Sequence, residues 1–285
     1  KAGHLAALVA YYGFFSLFPL MLAFTSVLGF VVRDPDRQQR FADEAADQIP
    51  VVGDTIRDTA GRLDGSTIAV VVGLALALWS GMKIVDAMQN ALNTVWAVPR
   101  LARPNIVERR LRSVGMLALI GGGLICSVAA SSIAGRVDVL PGGSRIAIWA
   151  ASALISIALY LVAFRLLTDA SIPWRDVWPG AIFGGLSWWA LRTVGSVFIA
   201  NQQQSSGEAY GQFASIIALF AFLFLASQLS IVGAEINAVR ARRLWPRSLT
   251  AGQLTRADLD AFEQLANSTR QDDAYLVVLQ RRDSS

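Results

Sequence analysis

Five polar side chains stand inside an otherwise apolar stretch, and they are the first candidates for chemistry: Lys83, Asp86, Gln89, Asn90 and Asn93. Lys83 and Asp86 are one helical turn apart, so they share a face and can neutralise each other. Asp86, Asn90 and Asn93 follow the spacing of one helix face, which in a membrane must look into protein or water. The stripe predicts either an interhelical hydrogen-bond network or the wall of a polar substrate cavity.

Three further polar residues lie within later apolar stretches: Arg192, Glu235 and Asn237. Arg192 is too far from the outer end of its stretch to reach water easily in that direction. We therefore expect it to pair inside the protein, with Asp86 as a possible partner. For Glu235, a structural ion pair with Arg165 or Arg240 and a functional role are equally good interpretations.

A proline and two groups of glycines indicate special helix geometry. Pro19 is predicted to interrupt the first apolar helix and to free the carbonyl of Phe15, and Ser16 is available to satisfy the loosened turn. Interrupted helices often hold transporter binding sites, although a simple kink is the commoner outcome. Gly180, Gly184 and Gly185, like the run 121–123, predict close helix packing or a hinge.

The residues needed for most enzyme classes are sparse. The chain has one histidine, His4, and one cysteine, Cys126, which cannot build a usual zinc site. It contains no nucleotide-binding P-loop and no nucleophile elbow, and its acidic residues do not cluster in the loops where a metal-dependent nuclease would need them. We therefore expect no metal, no cofactor and no enzymatic activity.

Long apolar helices must position these side chains. Hydrophobic residues make up 54% of the 285 residues and charged residues 16%, whereas soluble domains carry roughly 25% charged residues. Apolar stretches at 5–32, 67–97, 113–135, 145–169, 177–201 and 212–240 are each long enough to cross a bilayer. Backbone groups in lipid must bond within their own segment, so the sequence predicts an all-α membrane protein with six spanning helices.

Arginines predict the orientation of these helices. The connections 97–112, 170–176 and 241–250 carry nine arginines opposed by Glu108 and Asp176, whereas 33–66 is acidic. The positive-inside rule then places both termini in the cytoplasm, and four tryptophans fall at the same predicted interface. A net charge of +4 is explained by topology and by contacts with anionic lipids, so we expect no nucleic-acid partner.

Two segments are too polar to span a membrane. Residues 33–66, within a transmembrane domain of residues 1–245, are predicted to form an outer loop with short helices. Residues 246–285 are predicted to be a cytoplasmic tail whose helix starts near Thr255, with Asp258 completing a capping box. The chain begins at Lys1 rather than at a methionine, so we expect further sequence upstream.

Several motifs resemble one family of membrane proteins. The segments AYYGFFSLFPL (10–20), WSGMKIVDAMQNALNTVW (79–96), PWRDVWPGAIFGG (173–185), YGQFASIIAL (210–219) and VGAEINAV (232–239) are similar to the YihY/BrkB family. The resemblance implies six spanning helices in a bacterial inner membrane. It implies little mechanism, because members have been called both ribonuclease BN, a label now regarded as mistaken, and virulence factors.

The sequence therefore favours a transporter or flippase-like protein that moves an amphipathic or lipidic substrate through a cavity lined by the first, second, fifth and sixth spans. Membrane lipids are the expected partners, and an oligomer is compatible with the sequence. Two alternatives stay open, a membrane-embedded enzyme and a non-catalytic scaffold whose tail recruits a partner.

Overall fold

A computed structural model provides the fold. It describes residues 2–31, 34, 36, 38–40, 43, 67–99, 103, 105–119, 144–169, 172–203, 208–248 and 254–268, and the structural statements below concern these residues.

The described chain is built from long helices, and it contains no β-strand. We number the helices in chain order as α1 (Ala2–Val31), α2 (Thr67–Val95), α3 (106–119), α4 (Ser144–Leu167), α5 (Trp174–Gln203), α6 (Glu208–Ala241) and α7 (Arg256–Ser268). The prediction of an all-α fold is confirmed. Five of the six predicted spans coincide with α1, α2, α4, α5 and α6 to within a few residues.

Only the first part of the predicted third span, 113–135, lies within the described residues, and the helix that contains it begins before the span. Helix α3 begins at 106 rather than at 113, so Arg109, Arg110 and Arg112 lie in its first turns and not in a loop. Hydropathy locates the apolar part of a helix, whereas the helix itself begins after Asn105, whose carbonyl accepts the Arg109 N–H at 3.0 Å. The rest of the predicted span, the glycine run 121–123 and nearly all of the 33–66 loop lie outside the described residues.

Three of these helices are long and apolar enough to cross a membrane, namely Ala2–Ala23, Val70–Val95 and Ile216–Ala241, and Ser152–Leu167 is a shorter apolar helix. Many of their large apolar side chains are exposed, among them Val71 at 61% and Ile217 at 65%. Soluble proteins rarely expose apolar surface in such continuous patches, whereas lipid-facing helices do. The fold is that of a membrane protein.

The helices pack in a closed order. Helix α1 contacts α2 and α6, α6 contacts α5, α5 contacts α4, and α4 returns to α2. Helix α3 runs antiparallel along α2, since a side chain at Gly81 would meet Leu117 at 3.0 Å and Asp86 contacts Arg110. The main core cluster lies between α2, α4, α5 and α6 and includes Leu92, Phe164 and Val177.

The tail helix α7 has the predicted start. Thr255 Oγ1 accepts the Asp258 N–H at 3.3 Å, and the Asp258 carboxylate accepts the Thr255 N–H at 3.0 Å. These reciprocal bonds satisfy two backbone donors that a helix start leaves open. Helix α7 is held to the end of α6 because Arg242 donates to Gln264 at 2.7 Å and Arg247 pairs with Asp258 at 3.2 Å.

Candidate functional site

The ends of several helices meet at one end of the bundle. We call the region formed by residues 86–98, 105–113, 164–169, 172–181 and 231–245 the arginine end. Asn93 near the end of α2 bonds Asp169 just after α4, and Arg242 just after α6 donates to the carbonyl of Trp96. The guanidinium of Arg242 also lies 5.6 Å from the centroid of the Trp96 ring. Side chains thus join helices that are far apart in sequence.

Asp86 is engaged by α3. Its carboxylate lies 3.2 Å from Arg110 Nη1 and 3.8 Å from Arg109 Nε, and it accepts a hydrogen bond from Ser113 at 3.3 Å. The expected neutralisation by Lys83 was wrong. The early start of α3 brings two guanidinium groups to this carboxylate, and a planar guanidinium bonds a carboxylate more readily than an ammonium group does.

Lys83 has no such partner. It is half-buried, and its side chain makes no hydrogen bond or ion pair with any described residue. It lies in the middle of the Val70–Val95 span, where a charged group is costly unless something compensates it. Of the five polar residues of α2, Lys83 is the one whose charge the described bundle leaves unmatched.

The other members of the stripe find partners at the arginine end. Gln89 is buried and donates to Ser113 Oγ at 3.4 Å, which ties α2 to α3 a second time. Asn90 is exposed, and its side-chain oxygen accepts a hydrogen bond from Arg103 at 3.0 Å. These contacts belong to an interhelical network of the kind that fixes helix packing.

Asn93 forms a two-way amide contact with Asp169. Its Nδ2 donates to the Asp169 carboxylate at 2.6 Å, and its Oδ1 accepts the Asp169 N–H at 2.9 Å. The Asp169 side chain is 5% exposed and also pairs with Arg112. Sequence reasoning missed Asp169. The available signal was an acid at the end of an apolar run on the side where arginines gather.

Arg192 contacts a different helix from the one that we predicted. Its Nη2 donates to Ser152 Oγ on α4 at 3.1 Å, so it bridges α5 and α4. The predicted pairing with Asp86 was wrong, since Asp86 lies on α2 and is held by α3. Arg192 is therefore separate from the arginine end.

Glu235 and Asn237 differ although they are neighbours on α6. Glu235 is exposed and has no ion pair with Arg165 or Arg240 within the described residues, so the pairing interpretation was wrong. The Arg165 guanidinium lies instead 5.7 Å from the Trp174 ring. Asn237 is 1% exposed and accepts the backbone N–H of Gly180 at 2.6 Å. Asn237 thus links α6 to the start of α5.

Glycines bring α5 close to both of its neighbours. A Cβ atom added at Gly180 would lie 1.9 Å from the carbonyl oxygen of Gly233, and one at Gly185 would lie 2.7 Å from the backbone of Ile157. Beside this contact, the hydroxyls of Tyr160 and Ser230 are 2.8 Å apart. The predicted close packing of the α5 glycines is confirmed. We call these contacts the glycine crossing.

Helix α1 is not interrupted at Pro19. It continues from Ala2 to Val31 with Pro19 inside it. Ser16 is buried and donates to the carbonyl of Gly13 at 2.8 Å rather than to that of Phe15. The turn around Pro19 thus stays helical, which leaves the simple kink, the commoner outcome of a proline inside a helix, as the interpretation of Pro19.

Comparison with known proteins identifies the family of the chain but no solved structure that is similar to it. The sequence model of the family described as Virulence factor BrkB matches residues 1–256. The chain is 25% identical over 251 residues to the putative ribonuclease-like protein YfkH of Bacillus subtilis. The aligned residues cover 84% of this chain and 90% of that protein. No solved structure matches the chain.

Two membrane proteins named UPF0761 are also similar. The one from Verminephrobacter eiseniae is 22% identical over 202 residues, covering 68% of this chain and 48% of the relative. The one from Nitrosospira multiformis is 27% identical over 202 residues, covering 68% and 45%. The chain therefore spans about half the length of these two relatives.

Proposed function

Because the chain belongs to the BrkB family of membrane proteins, we propose that it transports an anionic amphipathic molecule, such as a lipid, across a bacterial inner membrane. In this proposal six helices span the bilayer and the arginine end faces the cytoplasm, with both chain termini on that side. The protein binds its cargo and does not transform it.

The observation that carries the proposal is the position of Lys83. A lysine at the centre of a spanning helix costs about 2.5 to 3.5 kcal/mol even on the lenient insertion scale. Asp86, the acid one turn away, is already held by Arg109 and Arg110. An anionic group that reaches Lys83 would offset this cost, and a passing lipid head group is such an anion.

The surroundings of Lys83 favour an amphipathic cargo over a free ion. Trp79, one turn before Lys83 on the same face, is 63% exposed. The preceding turns of α2 expose Val72, Leu76 and further apolar side chains. A molecule with its head group at Lys83 would lay its acyl chain along this apolar surface, so that the chain stays in an apolar environment while the lysine binds the head group.

The test measures translocation in vesicles. The purified chain is reconstituted with head-group-labelled phosphatidylglycerol, and the fraction that reaches the inner leaflet is measured by chemical quenching from outside. We expect Lys83→Met to lose most of the activity and Lys83→Arg to keep it. Labelled phosphatidylcholine, which has no net charge, is expected to move more slowly than phosphatidylglycerol.

Arg175→Gln is the matched control, since it also removes one positive charge but from a side chain that is 86% exposed. It is expected to leave translocation unchanged. Wild-type activity in Lys83→Met, with both variants equally well folded, would overturn the proposal.

The name of the Bacillus relative motivates the competing hypothesis of a ribonuclease. Two carboxylates of the arginine end, Asp86 and Asp169, are each occupied by arginine, which leaves them poorly placed to bind a metal ion. RNA cleavage by the purified chain that disappears in Asp86→Asn or Asp169→Asn would replace transport as the function.

A further inference from the structure

Helix α7 has three distinct sides. One side faces the protein, where Ala257 is 8% exposed, Asp258 is 6% exposed and Gln264 bonds Arg242. These residues follow the spacing of one helix face. The side toward the end of α6 is therefore already occupied.

A second side of α7 is apolar and about half exposed. Leu259 is 52% exposed, Phe262 is 45% exposed and Leu265 is 48% exposed. They follow one another at intervals of one helical turn, and Leu254 just before the helix is 47% exposed. The third side carries Asp260 and Glu263, which are exposed and polar. A helix with one side packed on the protein, one apolar side and one polar side can lie at the interface between the lipid bilayer and water.

Positive charge and tryptophan surround the apolar side. Arg240 in the last turn of α6 is exposed, as are Arg243 and Arg247 after it, and Trp245 is 69% exposed among them. Arginines attract anionic head groups, and tryptophan prefers the head-group region of a bilayer. The bonds from Arg242 and Arg247 hold α7 beside the end of a helix that is apolar enough to span.

We propose that α7 lies on the surface of the same bilayer that α6 enters, with Leu259, Phe262 and Leu265 inserted below the anionic head groups. The exposed Arg240 and Arg243 bind those head groups, and Asp260 and Glu263 face water. This surface role is independent of what the bundle transports.

The test places spin labels on two sides of α7 in the full chain. The only cysteine is Cys126, so Cys126→Ser gives a background to which Phe262→Cys or Asp260→Cys is added. Each protein is reconstituted in vesicles of phosphatidylethanolamine and phosphatidylglycerol. Collision of the label with oxygen, which concentrates in lipid, is compared with collision with a water-soluble nickel chelate.

We expect the label at 262 to collide more with oxygen and the label at 260 to collide more with the nickel chelate. Leu259→Cys serves as a second apolar site if labelling at 262 disturbs folding. A label at 262 that favours the nickel chelate would overturn the proposal. So would a label shielded from both reagents, since it would be covered by a second copy or another protein.

Vesicles of phosphatidylcholine alone test the electrostatic part. With no anionic head groups, the arginines lose their attraction and the oxygen-to-nickel collision ratio at 262 should fall. An unchanged ratio would show that the arginines do not hold α7 on the membrane.

Discussion

The α2–α3 contact and the glycine crossing join helices by different means. Between α2 and α3 the contacts run through side chains, since Arg110 reaches across to Asp86 and the Leu117 side chain packs against Gly81. At the glycine crossing the backbones themselves touch, and Asn237 accepts a backbone N–H of α5. Side chains can exchange partners with small movements, whereas touching backbones cannot slide without a clash. We therefore expect the α4–α5–α6 unit to be more rigid than the α2–α3 pair.

The largest effect is expected from Gly180→Ala. The added Cβ would lie 1.9 Å from the Gly233 carbonyl oxygen and 2.5 Å from Asn237 Nδ2, so the backbones must separate. Overpacking of this kind costs about 3 kcal/mol of the free energy of unfolding. Denaturation of the purified protein in detergent, followed by circular dichroism, measures the loss.

Gly115→Ala on α3 is its control, because nothing lies within 4 Å of an added Cβ there. Alanine is the better helix former, so this variant should gain about 0.5 to 1 kcal/mol. If the two alanine variants are equally stable, the glycine crossing is not a rigid contact.

A smaller effect is expected at the polar contact between helix ends. Asp169→Asn removes the charge that Arg112 meets, and breaking a fully buried ion pair costs about 3 to 5 kcal/mol. The Arg112 side chain is 41% exposed, and solvent screening reduces the expected loss to about 1 to 2 kcal/mol. The same detergent denaturation measures it.

A double-mutant cycle with Arg112→Gln tests that the loss comes from the pair, since the two changes should then be strongly non-additive. Arg175→Gln breaks the surface pair of Arg175 and Asp176, which are 3.7 Å apart, and should cost less than about 0.5 kcal/mol. Equal losses at the two pairs would contradict the special role of Asp169.

The third prediction extends the comparison to α7, which polar contacts of Arg242 and Arg247 join to the end of α6. The pKa of Asp258 lies well below its ordinary value of 3.8. Its carboxylate accepts hydrogen bonds from the Ser248 N–H, from the Thr255 hydroxyl and N–H, and from the Arg247 guanidinium, and these bonds stabilise the ionised form. Because the pKa of this carboxyl is lower in the folded protein than in the unfolded chain, its ionised form stabilises the folded protein at a pH above the ordinary pKa. That stabilisation is lost as the pH falls through the pKa of the folded protein. The protection of α7 amides relative to the intrinsic exchange rate at each pH should therefore stay constant from neutral pH down to about pH 4 and fall only in stronger acid.

Asp258→Asn should speed exchange in α7 already at neutral pH, while Asp260→Asn on the exposed side of the same helix should not. Protection of α7 that falls between neutral pH and pH 5 in the unaltered chain would contradict this assignment of the carboxylate.

The smallest effect is expected at the end of α2. Ala97 has a φ of 44°, a left-handed conformation in which glycine is less strained than alanine. Ala97→Gly should therefore stabilise the protein by about 1 kcal/mol. Ala75→Gly, at an exposed position within α2, should destabilise it by about 0.5 to 1 kcal/mol. In the same denaturation experiment, we expect the two variants to change the free energy of unfolding in opposite directions.

Sequence reasoning succeeded where the physical cause is local. Hydropathy located α1, α2, α4, α5 and α6, and the spacing of Thr255 and Asp258 predicted the start of α7, since both signals lie within one segment. It failed for the partners of Asp86 and Arg192, because those depend on which helices become neighbours. Asp169 was missed for the same reason: its environment is made by Asn93 and Arg112, which are far away in sequence.

Arg242 gives the tail an influence beyond its own surface. Its guanidinium bonds the carbonyl that follows α2 and also bonds Gln264 in α7. Truncation of the chain before α7 would remove the Gln264 acceptor. The Arg242 guanidinium would then lose one of its two hydrogen-bond partners and could shift its position at the carboxyl end of α2. A shortened protein that loses function would therefore not identify α7 as a binding element, because the same cut alters the helix that carries Lys83.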